Sequence, residues 1–261
     1  MLIGTRRHEI MILLDSKPQL TILELAEQFN VSKMTIRRDL DLLQSEGKIQ
    51  RFHGGAVKVK RFMGAKYEQR ANEHKAEKLA IAKEAAKHIQ DGMSIILDAG
   101  TTVASMVDEL ERFKGLKIIT RDLHTALMLS NEERFGSFDV YCTGGRISKW
   151  AYSLDGFYAE KMLQSLTVDA AFLTCEAVSL TKGAMAWSPN LVGVRQTTME
   201  TAGKTILLAD STKFSYNSLA IFASLDEFDE IITDSRLDEY EVASYRKSGL
   251  PLTIVSAIAR G

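Results

Sequence analysis

Between residues 31 and 43 apolar side chains fall at Ile36, Leu40 and Leu43, four and three positions apart, with polar or charged residues between them. That interval lays one apolar stripe along a helix. Ser32 stands just before it and suits an N-cap, because its hydroxyl can accept from a free backbone N–H one turn on. Upstream, Thr21 and Glu24 form a capping box for a second short helix whose apolar face is Ile22, Leu25 and Phe29. Asn30 and Val31 leave room only for a tight turn, so two helices cross steeply, the helix-turn-helix arrangement. Residues 6–14 carry Ile10, Leu13 and Leu14 and are read as a supporting helix. Gly47 ends the third helix. Strand-like runs at 49–52 and 56–59 then flank His53-Gly54-Gly55, a glycine-supplied turn. Three helices followed by a hairpin predict a winged helix-turn-helix domain over residues 1–60.

A linker is placed at 61–75, where the chain is polar and mixed and lacks a clear apolar period through residue 72. A helical pattern follows at 73–90, closed by Asp91-Gly92. Residues 93–97 form a short apolar run ending in Asp98, the profile of a buried parallel strand. Strand-like runs recur at 116–120, 138–143, 170–174, 205–209, 220–223, 230–233 and 252–255. Helix-like runs lie at 103–110, 125–129, 157–166, 194–202 and 239–247. The alternation predicts a doubly wound, mainly parallel α/β sheet domain over residues 76–261. Residues 178–190, with Met185, Trp187 and Pro189, are read as a long loop, either a lid or plain surface.

Composition narrows the class. Of 261 residues 45% are hydrophobic, enough for one small and one medium core. No apolar stretch approaches membrane-spanning length and no signal peptide is read at the start, so a cytoplasmic protein without a membrane partner is expected. Cys142 and Cys175 are too few for a disulfide scaffold and lack metal-ligand spacing; both are expected to be buried strand-end thiols, and neither a metal nor a cofactor is implied. The net charge of −1 divides unevenly: residues 1–61 hold 11 Lys+Arg against 7 Asp+Glu, leaving 22 against 27 for the remainder. A basic end and an acidic body are expected of a chain that meets nucleic acid at one end only.

The candidate chemistry follows that division. Ser32, Lys33, Thr35, Arg37 and Arg38 lie off the apolar stripe of the third helix, where a cluster of donors and positive charge suits the DNA major groove. Arg51, His53 and Lys58 are placed on the wing to meet phosphates or a minor groove. Taken alone, the helix is better read as an ordinary surface helix with a solvated charged face; its flanks favour the groove reading. In the second domain, ligands of such sheets bind beyond the carboxyl ends of the strands. Those ends offer Asp98, Gly100, Thr101 and Thr102, then Arg121, then Gly144, Gly145 and Arg146, and later Asp210 and Lys213. Cations and N–H groups suit a phosphate, and carboxylates suit hydroxyls, so the set fits a phosphorylated sugar or polyol. Each is also ordinary loop chemistry at a sheet edge.

Thr35-Ile36-Arg37-Arg38-Asp39-Leu40, Gly47 and His53-Gly54-Gly55-Ala56, in that order, resemble the amino-terminal signature of DeoR-type transcriptional regulators. Residues 98–102, Gly144-Gly145 and 210–213 are similar to the sensor-domain motifs of the same family, so the resemblance spans nearly the whole chain. It implies binding to double-stranded operator DNA, repression of a carbohydrate or polyol operon, and a carboxyl-terminal domain that senses a phosphorylated metabolite. It also implies a sheet domain similar in fold to ribose-5-phosphate isomerase and a chain that works as a homodimer or homotetramer. Three departures stand out: Arg121 replaces the usual Asn, Cys175-Glu176-Ala177 replaces a glycine-rich turn, and an acid usual near residues 191–194 is missing. Glu176 joins the effector candidates on that account. The rival class is a sugar-phosphate isomerase with a DNA-binding appendage, in which Asp98, Glu176, Asp210 and Lys213 supply acid, base and cation.

Overall fold

A computed structural model describes residues 3–17, 19–45, 49–52, 54–58, 67–148, 151–214, 217–237 and 239–257. The chain divides into two compact units, residues 1–61 and 62–261.

The first unit contains three helices, α1 (Ile3–Ser16), α2 (Ile22–Phe29) and α3 (Lys33–Ser45), and three strands, β1 (Gln19–Thr21), β2 (Ile49–Phe52) and β3 (Gly55–Lys58). The capping box forms as the sequence predicts: Thr21 Oγ1 accepts from Glu24 N at 3.1 Å, and Glu24 accepts from Thr21 N at 2.7 Å. Asn30 ends α2 in the left-handed region (φ 50°), and Thr35 N donates to Ser32 Oγ at 3.1 Å to start α3. Ile36, Leu40 and Leu43 are buried against Ile10, Leu14, Leu25 and Ile49, which closes a small core. Under that core Arg6 Nε lies 2.6 Å from Asp39 Oδ2, an ion pair between α1 and α3 buried on both sides. The antiparallel hairpin pairs Phe52 with Gly55, so Gly55 belongs to β3 rather than to the turn. A Cβ at Gly55 would stand 2.4 Å from the Leu20 carbonyl oxygen, because β1 pairs with the outer face of the same strand. Gly47 lies outside the described residues.

The second unit is built on seven parallel strands in the spatial order Leu252–Val255, Glu230–Asp234, Thr205–Leu208, Ala170–Leu173, Ser94–Leu97, Lys117–Thr120, Asp139–Cys142. Successive residues of the buried strands point to opposite faces. Ile95, Leu97, Phe172 and Leu208 pack with the helix Lys75–Ala85 and with Val103, Met106 and Leu129. Ile96, Ala171, Leu173 and Leu207 pack on the other face with Ala159, Leu163 and Val194. Both faces are therefore covered, which is why these strands read as continuous apolar runs.

Several expectations need correction. The strand at Ala220–Ala223 is not in the parallel sheet; it pairs antiparallel with Gly183–Ala186, which pairs in turn with Ala177–Ser179. The expected loop at 178–190 is therefore mostly this small sheet, with Met185 buried rather than poised as a lid. The helix expected at 73–90 runs only over Lys75–Ala85 with a 3-10 turn at Ala86–His88, and that expected at 103–110 divides into Thr101–Ala104 and Val107–Leu110. Within the expected linker, Tyr67–Asn72 is helical and belongs to the second unit. Cys175 is buried, but Cys142 lies on the exposed edge strand. Among the described residues no helix is long and apolar enough to cross a membrane.

Candidate functional site

In the first unit the exposed face of α3 carries Ser32, Lys33, Arg37 and Arg38. Thr35 is half-buried, and its hydroxyl lies 2.9 Å from that of Ser32, so it serves the helix start as well as the surface. Arg51 on the hairpin is ion-paired with Asp41 of α3, which fixes the wing to the helix beside it. His53 and the side chain of Lys58 lie outside the described residues. Asp39, preceded in sequence by two exposed arginines, turns inward to Arg6.

The second candidate site lies at the carboxyl edge of the sheet. In chain order the strands run 94–97, 117–120 and 139–142 to one side, and 170–173, 205–208, 230–234 and 252–255 to the other. The order therefore reverses between Ser94–Leu97 and Ala170–Leu173, and such a reversal opens a crevice at the strand ends. Asp98 and Thr174 stand at that point. Asp98 Oδ2 accepts from Thr174 N at 3.3 Å, while Thr174 Oγ1 donates to the Ala99 carbonyl at 3.0 Å. Gly100 passes so close that a Cβ would meet Thr174 Oγ1 at 2.8 Å.

Two arginines converge on Asp98. Arg121 Nε is 2.5 Å from Oδ1, and Arg195 Nε is 3.5 Å from Oδ2. Arg195 also holds Glu176 through both terminal nitrogens, at 2.7 and 3.2 Å. Burial pushes the Asp98 carboxyl up, but the guanidinium groups of Arg121 and Arg195 outweigh it and hold it below its ordinary value. Next door Asp210 caps the 3-10 turn Ser211–Lys213 by accepting from Thr212 N at 3.1 Å. Burial acts on Asp210 in the same upward sense and is again outweighed, chiefly by the charge of Lys213.

Asp98, Gly100, Thr101, Thr102, Arg121, Glu176, Asp210 and Lys213 thus lie on the ends of four neighbouring strands. Gly144, Gly145 and Arg146 sit farther out, after the edge strand Asp139–Cys142. Arg146 reaches across the hairpin of Arg146–Ser148 and Ser153–Asp155 to Asp155 at 3.3 Å. With Asp155, Glu160 and Asn190 it lines a separate cleft of about 320 Å³ that Asp98, Arg121 and Glu176 do not line.

Sequence reasoning passed over four residues here. Arg195 sits in the helix Val192–Thr201, where an arginine among polar neighbours reads as solvated, yet it is 1% exposed. Asp122 accepts from Gly100 N at 3.1 Å and from His124 N and Thr125 N at 2.8 and 3.0 Å, tying the first two strand-end loops together. Lys78 is buried on the helix Lys75–Ala85, which lowers its ammonium to about 8, and it donates to the carbonyl of Arg70. Tyr67 stacks on His124 at 4.0 Å between ring centroids and meets Tyr152 edge-on at 6.4 Å. A pairing of Asp122 with its own helix start was the one signal available, as an Asx cap ahead of an apolar run.

Comparison with known proteins agrees with this division. The model of a DeoR-like helix-turn-helix domain matches residues 6–62, and that of the DeoR C-terminal sensor domain matches residues 73–235. The uncharacterized HTH-type transcriptional regulator YulB of Bacillus subtilis is 33% identical over 262 residues, covering 100% of both chains. The lactose phosphotransferase system repressor of Lactococcus lactis is 32% identical over 245 residues, covering 92% of this chain and 94% of the relative. Among solved structures, ribose 5-phosphate isomerase A of Methanocaldococcus jannaschii overlaps 53% of each chain at 20% identity, with a TM-score of 0.38. The chain belongs to the DeoR family of DNA-binding, helix-turn-helix transcriptional regulators.

Proposed function

We propose that the protein represses an operon of carbohydrate or polyol metabolism and that a phosphorylated sugar or polyol, bound at the carboxyl edge of the sheet, sets its affinity for operator DNA. The observation that carries this reading is the position of Asp98, Arg121, Thr174, Glu176 and Arg195 together at the point where strand order reverses. The amides and hydroxyls of residues 100–102, together with Lys213, supply groups that suit a phosphate, and the neighbouring carboxylates suit hydroxyls. The exposed arginines of α3 supply the groove-reading half, with Arg37 and Arg38 as the base or phosphate contacts. Ser32, Lys33 and Thr35 flank them, and Arg51, His53 and Lys58 form the wing contacts. Two copies acting together, as a homodimer or a pair of dimers, would present two such helices to a two-fold operator.

Proton-transfer chemistry is disfavoured by the same geometry. Asp98 and Glu176, two of the three carboxylates offered as acid and base, are each engaged by guanidinium groups. The family models and the relatives are transcriptional regulators, not enzymes.

The test is a band-shift titration of the full chain on DNA from upstream of its own transcription unit, with a panel of sugar and polyol phosphates. Coupling between two sites is typically ~1–3 kcal/mol, or about 5–150-fold in affinity. An operator affinity that no phosphate moves would sink the sensing half of the reading, and an absence of DNA binding at low salt would sink the rest.

A further inference from the structure

Two buried cations meet at the reversal point of the sheet, and one of them keeps a donor without an acceptor. Arg121 is 4% exposed and its Nη1 has no hydrogen-bond partner; Arg195 is still more deeply buried, and its Nε faces Asp98 Oδ2 at 3.5 Å. Native proteins pair nearly all buried donors, so each exception calls for an acceptor. The two arginines are not scattered. Their guanidinium groups are drawn to opposite oxygens of the single Asp98 carboxylate, and Glu176 occupies both terminal nitrogens of Arg195. Asp98 is itself committed, with Thr174 N also on Oδ2. The four formal charges cancel, so the cluster sets no excess negative charge against an incoming anion.

We propose that the ligand of this edge carries a carboxylate in addition to its phosphate, and that the unpaired Nη1 of Arg121 holds that carboxylate. A planar, acceptor-only group matches guanidinium donors, and a charge-assisted bond of this kind is about twice as strong as a neutral one. A hydroxyl in the same place would bring a proton for which Asp98 has little spare capacity. The ligand class is then an aldonate phosphate rather than a plain sugar or polyol phosphate. This inference rests on the reading of the edge as a phosphate-binding site.

The two are separated by calorimetric titration of the full chain with matched probes. These are glucitol 6-phosphate, 6-phosphogluconate and gluconate, and the five-carbon set ribitol 5-phosphate, 5-phosphoribonate and ribonate. The expected result is that an acid phosphate binds about ten-fold or more tighter than the polyol phosphate of equal length. Arg121→Lys keeps a cation beside Asp98 but removes Nη1, so it should erase most of that preference by lowering affinity for the acid phosphate more than for the polyol phosphate. Should Arg121→Lys prove unfolded by its melting curve, Arg121→Gln carries the same expectation. Equal affinity for acid and polyol phosphates, or a full preference surviving in a folded Arg121 variant, overturns the proposal and leaves the phosphate reading intact. Unphosphorylated acids binding as well as their phosphates would sustain the carboxylate site and defeat the phosphate. If no probe of either length binds, both are refuted.

Discussion

The motif Arg37-Arg38-Asp39 places three charges in a row, but the structure gives the third a different task from the first two. Asp39 is 4% exposed and Arg6 is 7% exposed, with 2.6 Å between Oδ2 and Nε. Replacing Asp39 with Ala leaves the Arg6 guanidinium buried and uncompensated, a change that typically destabilises by about 3–5 kcal/mol. A unit of some sixty residues has only about 3–9 kcal/mol of stability at roughly 0.05–0.15 kcal/mol per residue. Asp39→Ala is therefore expected to bring the first unit close to its unfolding midpoint while the sheet unit stays folded. Hydrogen exchange read by mass spectrometry resolves the two: amides of α1 and α3 should lose protection and those of the seven-stranded sheet should not. DNA binding should fall with the folded fraction and partly return on cooling. The double variant Arg6→Met/Asp39→Leu is the sharper arm, because replacing a buried pair with apolar side chains is often neutral or stabilising. It should restore both protection and binding. If Asp39→Ala loses DNA binding with protection unchanged, or if the double variant stays folded but does not bind, then Asp39 contacts DNA directly and the packing argument is wrong.

Arg38→Ala and Arg37→Ala, on the exposed face of α3, should weaken operator binding by about 1–3 kcal/mol for a base contact, or flatten the salt slope by about one for a phosphate contact. Neither should move the melting curve, and a folding defect would count against a surface role. Free-thiol titration should find Cys142 accessible in the native protein, whereas Cys175, buried and with its thiol pushed up to about 12, should react only on unfolding. Two fast thiols would contradict the buried strand end. Asp98, held below its ordinary 3.8, binds a proton more weakly folded than unfolded. Its contribution to sheet stability is thus present above pH 3.8 and is lost as pH falls through the lower folded value. Acid unfolding followed by circular dichroism should be less steep in Asp98→Asn than in the parent, and identical slopes would mean that the two arginines do not hold the carboxylate ionised.

The parts of the fold legible in the sequence are those fixed by local periodicity. Ile36, Leu40 and Leu43 announce α3, Thr21 and Glu24 announce the start of α2, and the apolar runs ending at Leu97, Thr120 and Leu208 announce a sheet covered on both faces. The hairpin of Ala177–Ser179 and Gly183–Ala186 escaped because it is built from small residues that are buried all round, so no alternation marks it. The strand Ala220–Ala223 was visible as a strand, but nothing local says which sheet it joins. At the candidate site, Asp98 and Arg121 were found because loops after apolar runs attract attention. Arg195 was not, since its partners Asp98 and Glu176 lie 97 and 19 residues away and only the tertiary fold removes it from water. The Arg6–Asp39 pair, 33 residues apart, was hidden for the same reason.

The stacking of Tyr67 on His124 has a mechanical consequence. His124 is in the first turn of the helix that Asp122 caps, and Asp122 also holds the amide of Gly100. A shift of the Gly100 loop by even a fraction of an ångström therefore reaches Tyr67 through one carboxylate and one pair of rings. Tyr67 stands six residues beyond Arg61, where the first unit ends. The start of the second unit is thus tied to the Gly100 loop through Asp122 and His124. Tyr67→Ala should cut that tie, read as faster hydrogen exchange in the loops of Gly100 and Asp122 with the seven-stranded sheet unchanged.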